Sequence, residues 1–353
     1  MNKIDTYLQA ALKQNASDLH FISGDPVRAR VHGSLSNIME ETLSIDVVRE
    51  AMMEIMDGVT QKAFEEDDAA DFAYEIAEVS RFRVNVFRHI NGIGAIFRAI
   101  PSTALTLEDL NMPPVVHDLC RNTQGMILVT GKTGSGKSTT LAAMVDAMNK
   151  RLKGHILTIE DPVEFVHRPQ GCLISQREIG VHSSSFAQAL HSALREDPDV
   201  ILVGEMRDLE TISIAVTAAE MGILVMGTLH TNGAAQTIDR IVNSFPADKQ
   251  SHIRTMISTS LKGVISQQLL PTIHKPGRAA ALEIMINTSA VANLIRQGKL
   301  DQIETAMQSG GNVGMKTMDN ALMELVEKGW ISGKEAYLQA NHKHKFESVK
   351  DMD

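Results

Sequence analysis

The chain has 353 residues, 43% of them hydrophobic and 22% charged, and a formal net charge of −9. This is the composition of an ordinary folded protein, with the length of two or three domains. The acidic balance argues against a general nucleic-acid surface. Two cysteines give neither a zinc set nor a disulfide framework, and no run of 18 apolar residues offers a membrane span. The opening MNKIDTYLQAALKQNASDLHF turns polar early and has no signal-peptide core, so the cytosol is the expected compartment.

In chain order, the pattern predicts a helix over 4–13 and strands over 19–22 and 27–31, joined by a turn at Gly24–Pro26. A helix over 45–56 follows, then strands in FAYEI and RFRVNVFRHINGIGAIFRAI. In the second stretch Phe82, Val84 and Val86 alternate with Arg81, Arg83 and Asn85, and Asn91–Gly92 reads as a tight hairpin turn. These elements make a small mixed domain over 1–100. The turn residues and adjacent prolines of PSTALTLEDLNMPP place a linker at 101–114.

Beyond the linker, apolar strands alternate with helices. GMILVTG, HILTIED, VILVGE and ILVMGTLH are the strands; KSTTLAAMVDAMNK, SFAQALHSALRED and LETISIAVTAAEMG are the helices. Such alternation predicts a mainly parallel sheet covered on both faces. After His230 the chain reads as mostly helical, over 234–241, 249–269, 290–296, 301–308 and 316–327. The folded part ends near 340, and residues 341–353 read as a loose polar tail.

Gly131-Lys132-Thr133-Gly134-Ser135-Gly136-Lys137-Ser138-Thr139 matches the phosphate-loop pattern between a strand and a helix. Glycines let the backbone wrap phosphates, and its N–H groups and the helix N-terminus face the anion. Lys137 is expected to reach the β and γ phosphates of ATP, and Ser138 to supply an oxygen to Mg²⁺. The plainer reading, a flexible Gly-Ser loop, does not account for the flanking strand and helix. Hydrolysis needs in addition an activated water, a metal-orienting carboxylate and positive charge. Glu160 and Glu205 sit at C-terminal strand ends, which border the ligand crevice of a parallel sheet. Glu205 is the expected metal-side acid and Glu160 the residue that positions water; the bland alternative is a helix cap or a pair with Arg207. His230, at a third strand end, is a candidate γ-phosphate sensor, although strand-end histidines are often structural. Arg81, Arg83, Arg88 and Arg98 are concentrated in the first domain. They form either a solvated basic face or a source of guanidinium groups for a neighbouring subunit's phosphates.

Four ordered blocks carry a resemblance to a known family. GKTGSGKSTTLAAMVDAMN, HILTIEDPVEFVH, ALREDPDVILVGEMRDLETI and GTLHTNGAAQTIDRI resemble the Walker A, Asp-box, Walker B and His-box blocks of the type II/type IV secretion ATPases. SDLHF, RFRVNVF and FRAIP resemble the N-terminal domain of the type IV pilus retraction (PilT/PilU) branch. The resemblance implies an α/β protein: a small PAS-like N-terminal domain joined to a RecA-like P-loop ATPase domain over 115–340, with a helical C-terminal portion. It implies ATP and Mg²⁺ as cofactors and a homo-hexamer that retracts a type IV pilus during twitching motility. It also implies peripheral association with an inner-membrane pilus platform protein, alongside a paralogous retraction ATPase in some systems. By motif position it assigns Glu160 as catalytic glutamate, Glu205 as Walker B glutamate, Arg207 and His230 as site residues, and Arg81, Arg83 and Arg98 as candidates for arginines acting in trans.

The absence of any cysteine after Cys172 excludes the four-cysteine zinc element of the pilus-assembly and secretion relatives, and their long extra N-terminal region is missing too. Both favour retraction. Against the main retraction motor, SAVANLIRQGK departs from that motor's usual AIRNLIRE reading at Ala292 and Gln297. The alternatives are an accessory retraction ATPase, a nucleic-acid translocase, which lacks support in charge and aromatics, or a ring component that does not hydrolyse ATP.

Overall fold

The computed structural model describes residues 2–31, 34–77, 79–100, 104–274 and 277–351. The chain divides into two compact units, residues 1–103 and 104–353.

The first unit runs α1 (Asp5–Lys13), β1 (Ala16–Ile22), β2 (Pro26–Val31), β3 (Ser34–Thr42), α2 (Ile45–Ile55), α3 (Gly58–Asp67), β4 (Ala69–Ile76), β5 (Ser80–His89) and β6 (Gly92–Ile100). Its strands form a six-stranded sheet in the order β3-β2-β1-β6-β5-β4, every neighbouring pair antiparallel. Alternation decides its faces. Phe82, Val84 and Val86 are buried with Phe21, Phe97 and the apolar sides of α1 and α2, while Arg83 between them is exposed. Two elements here, β3 and α3, are absent from the expectation. The tight turn of the β5–β6 hairpin also lies one residue earlier than expected. His89 pairs with Gly92, so Ile90 and Asn91 form the turn, with Ile90 99% exposed. The expected linker begins in residues 101–103, which lie outside the described residues.

The second unit contains α4 (Pro114–Leu119), β7 (Gly125–Thr130), α5 (Lys137–Arg151), β8 (His155–Glu160), β9 (Leu173–Glu178), α6 (Phe186–Ala193), β10 (Val200–Val203), α7 (Leu209–Glu220), β11 (Leu224–Leu229), α8 (Ala234–Asn243), α9 (Ala247–Ser260), β12 (Leu261–Pro271), β13 (Arg278–Ile286), α10 (Ser289–Gln297), α11 (Ile303–Ser309), α12 (Met318–Glu327) and α13 (Gly333–Gln339). They build a seven-stranded sheet, β13-β12-β7-β11-β10-β8-β9, parallel except for the β12–β13 pair. β7, β10 and β11 are buried at every position. Met126 and Leu128 pack on one side with α6 to α9, and Ile127 and Val129 on the other with α4 and α5. Burial on both faces explains the continuous apolar runs of these strands. This is the two-sheet α/β architecture, with a RecA-like second unit and helices at the C-terminal end, that the sequence implies.

Two readings of the C-terminal part are corrected. The expected helix over 249–269 stops at Ser260: Leu261 turns extended, and 261–271 is β12, paired with β7 and with the unexpected β13. Most of β12 is buried on both faces, so it shows no alternation, and Leu261, Val264, Ile265 and Leu269 fall at spacings a helix would also have. The segment expected as a loose polar tail is anchored instead. Phe346 is 0% exposed in a cluster with Leu270, Ala281, Met318 and Leu322. Asp319 accepts hydrogen bonds from Asn341 N at 2.8 Å and His342 Nδ1 at 2.8 Å. Among the described residues, no helix is long and apolar enough to cross a membrane.

Candidate functional site

The C-terminal ends of β7, β8, β10 and β11 open onto a cavity of about 460 Å³ in the second unit. Thr133, Gly134, Gly136, Lys137, Ser138 and Thr139 line one side; Glu160, Glu205, Arg207 and His230 line the other. A crevice at the strand ends of an open parallel sheet, with convergent polar groups, is where ligands of this architecture bind.

The phosphate loop is held from behind by β12. Gly136 has φ +89°, and a Cβ there would come within 2.7 Å of Gln267 Nε2. A side chain at Gly131 would come within 2.3 Å of the Gln267 carbonyl oxygen. Thr140 Oγ1 on α5 donates to Gln267 Oε1 at 2.8 Å, so the same glutamine registers the helix against the sheet. α5 starts at Lys137, and its N-cap Gly136 makes no side-chain capping bond, leaving its first N–H groups without a side-chain acceptor at the edge of the cavity. Among the described residues Ser135 Oγ is buried and finds no partner, and a Cβ on Gly134 would meet nothing within 4 Å. Uncapped amides and an open glycine are what a polyphosphate satisfies. Lys137 Nζ donates to the carbonyls of Gly131 at 2.9 Å and Lys132 at 3.1 Å. Burial pushes its pKa down, partly countered by Glu205 and Glu164. Gly131, Lys132 and Ser135 thus shape the loop from behind its lining.

Glu160 ends β8. Thr158 Oγ1 donates to its Oε1 at 2.6 Å and Gln176 Nε2, from β9, at 3.2 Å. Burial dominates and raises its pKa above the ordinary glutamate value, against these hydrogen bonds. Such a carboxyl is a better proton acceptor than an exposed one. Glu205 lies two residues after β10. Its Oε1 lies 2.9 Å from His230 Nε2 and is hydrogen-bonded to and paired with Arg207 Nε. The three residues expected at two strand ends therefore form one contact group. Ser138 and Glu205 both offer hard oxygen ligands to the same cavity, the donor set a Mg²⁺ ion prefers.

Arg278, at the start of β13, also lines the cavity, and its Nη1 lies 3.4 Å from the Gly134 carbonyl oxygen. Glu164, Phe165 and His167, in the loop after β8, line another wall. Gln176 fixes that loop, accepting from His167 N at 2.8 Å and donating to the Phe165 carbonyl at 2.8 Å. Burial lowers the His167 pKa, which favours a neutral ring. Sequence reasoning missed all of these. Arg278 and Gln176 come from strands with no motif of their own; Glu164, Phe165 and His167 lie inside the HILTIEDPVEFVH block but are not singled out within it.

The three candidate arginines belong to the first unit. Arg83 on β5 stands directly opposite Arg98 on β6, and Arg98 opposite Asp18 on β1. Arg98 Nε donates to Asp18 Oδ1 at 2.9 Å, Asp18 being nearly buried, while Arg83 lies 3.9 Å from Asp71. Arg81 shares their side of β5 by alternation. Arg88 falls on the other side and stacks 4.8 Å over the Phe64 ring, a structural role. Like charges directly opposed across strands are destabilising, and here each arginine is offset by a carboxylate of its own unit, Asp71 for Arg83 and Asp18 for Arg98.

A family model described as Type II/IV secretion system protein matches residues 1–337. The type IV pilus retraction ATPase PilT of Pseudomonas aeruginosa is 52% identical over 94% of this chain and 96% of its own length. The type IV pilus ATPase PilU of the same organism is 37% identical over 96% of this chain and 89% of its own. Among solved structures, the pilus retraction motor PilT with bound ADP matches with a TM-score of 0.91 at 40% identity, covering 99% of this chain and 100% of that one. With a complete phosphate loop at the strand ends and these matches along nearly its whole length, the chain belongs to the Type II/IV secretion system protein family, in its pilus-retraction ATPase branch.

Proposed function

We propose that this protein is a Mg²⁺-dependent ATPase that works as a homo-hexameric ring and drives type IV pilus retraction, and with it twitching motility. The observation that carries the reading is the single cavity lined by both the phosphate loop and the acidic strand ends, Glu160 and Glu205. Lys137 neutralises the β and γ phosphates. Ser138 and Glu205 would hold Mg²⁺, which supplies charge to the phosphoryl oxygens when bound. Glu160, with its raised pKa, orients the attacking water and takes its proton. His230, 2.9 Å from Glu205, reports the state of the γ-phosphate end to the loop that follows it. Arg83 and Arg98, with Arg81 beside them, supply guanidinium groups to the site of an adjoining subunit. The PAS-like reading of the first domain, the domain limits given above, and peripheral docking on an inner-membrane platform protein complete the proposal.

Greater identity to PilT than to PilU, 52% against 37%, favours the main over the accessory motor. Deletion of the gene tests this. Many surface pili without movement are expected; near-normal movement that fails only under load would assign the accessory role. Purified protein should hydrolyse ATP only with Mg²⁺ and only as a ring. Turnover by a monomer, or DNA-stimulated turnover, would overturn the reading.

A further inference from the structure

The loop after His230 is held by residues of another strand pair. α8 begins at Ala234, and its N-cap, Gly233, has no side chain to satisfy the helix's first N–H groups. Two neighbours bond this peptide instead: Ser266 Oγ accepts from Gly233 N at 2.8 Å, and Glu283 Oε1 accepts from Ala234 N at 2.7 Å. Ser266 and Glu283 are direct partners across β12 and β13, so one rung of that hairpin grips two consecutive amides. Ser266 also stands beside Thr130, the residue before the phosphate loop. Thr237 Oγ1 completes the clamp, donating to the Gly233 carbonyl at 2.7 Å and meeting Thr231 Oγ1 at 2.7 Å. The second oxygen of Glu283 accepts from Met318 N at 3.2 Å, at the first residue of α12. Glu283 is 6% exposed and does not line the nucleotide cavity. Burial pushes its carboxyl above the usual range, while the Ala234 and Met318 amides pull the other way and nearby Glu304 and Asp319 add to the rise. A buried carboxylate is costly to keep, and its placement across two helix N-termini favours its ionised form.

We propose that Glu283 is a positioning residue for ATP hydrolysis: through the Gly233–Ala234 peptide it fixes the loop that follows His230, and through Met318 it joins that loop to α12. The inference rests on the ATPase reading above. Glu283 acts on turnover through His230, leaving the phosphate loop free to bind nucleotide. Movement of the loop during the cycle is thereby transmitted to α12 and the segment anchored on Asp319.

The test is a cycle of Glu283→Gln, His230→Ala and the double variant, measured on assembled rings for nucleotide affinity and for turnover. The glutamine keeps the volume but presents an amide where one of the two N–H groups needs an acceptor. Glu283→Gln is expected to lower turnover about tenfold with nucleotide affinity within about twofold, and to add little in the His230→Ala background. Equal losses in affinity and turnover, or full additivity with His230→Ala, would overturn the proposal and leave Glu283 as a helix cap. If Glu283→Gln does not fold, Ser266→Ala removes the Gly233 bond alone, with the same expected pattern at smaller size, about threefold. Amide exchange at Gly233 and Ala234 is a second readout. It should quicken in either variant, and unchanged exchange would overturn the attachment. A wild-type protein without turnover would defeat the ATPase reading, while the exchange measurement would still decide the attachment.

Discussion

The two sheets of this molecule earn their charged residues differently. In the second unit the central strands are buried on both faces, and the polar groups that line the cavity sit at the strand ends: Glu160, Glu205, His230 and the loop after β7. In the first unit only one face is packed, and arginines lie along the strands on the other, Arg83 opposite Arg98. A parallel sheet builds a pocket; an antiparallel one exposes a surface. The comparison teaches that the second unit gathers its polar groups into one pocket, whereas the first spreads its arginines along an exposed sheet face, where the proposed trans role can be tested.

The largest expected effect is at the pocket itself. Lys137→Ala should lose both nucleotide binding and turnover, the latter by about 10³-fold or more, with circular dichroism unchanged. Binding at wild-type affinity would remove the second unit's claim to self-sufficiency. Next is Glu160→Gln, expected to bind ATP normally while turnover falls about 10³-fold. Because burial raises the Glu160 pKa, the wild-type rate should fall as pH drops through a value above the ordinary glutamate range, where the carboxylate gains a proton. It should level off above that pKa. An acid limb at the ordinary value, measured in the rate at saturating ATP, would refute this assignment. Smaller is the effect of Arg83→Ala or Arg98→Ala, about 10²-fold in turnover with affinity nearly kept, since several guanidinium groups share one face. Mixing either arginine variant with Lys137→Ala subunits should restore part of the activity, because some interfaces then pair an intact loop with an intact arginine. Mixed rings whose rate only averages the two parents would return these arginines to a solvated face.

The same contrast explains what could be read from the sequence. The phosphate loop is contiguous, and β7, β8, β10 and β11 are apolar runs ending in polar residues, so these strands and the acids at their ends are legible in the chain alone. β3 is exposed or half-buried at every position and shows no alternation, and β9 is a mostly polar edge strand. β12 is buried on both faces and resembles a helix. Gln176, Gln267 and Arg278 reach the site from these or adjoining strands. Their roles depend on which strands are neighbours, β9 with β8 and β12 with β7, and that is a tertiary property no local spacing encodes.

The anchored C-terminal segment bears on how this protein can be handled. Phe346 fills the same apolar cluster as Leu270 and Ala279, and the adjoining residues on their strands, Leu269 and Arg278, line the nucleotide cavity. Shortening the chain at Ala340 to remove what reads as a dispensable charged tail would take away that aromatic ring together with the two amides bound by Asp319. Truncating one buried aromatic ring to alanine already costs a core about 3–5 kcal/mol. Its loss would uncover the cluster that Leu270 of β12 and Ala279 of β13 share, so a trimmed preparation would be a poor reference for the motor's own rate.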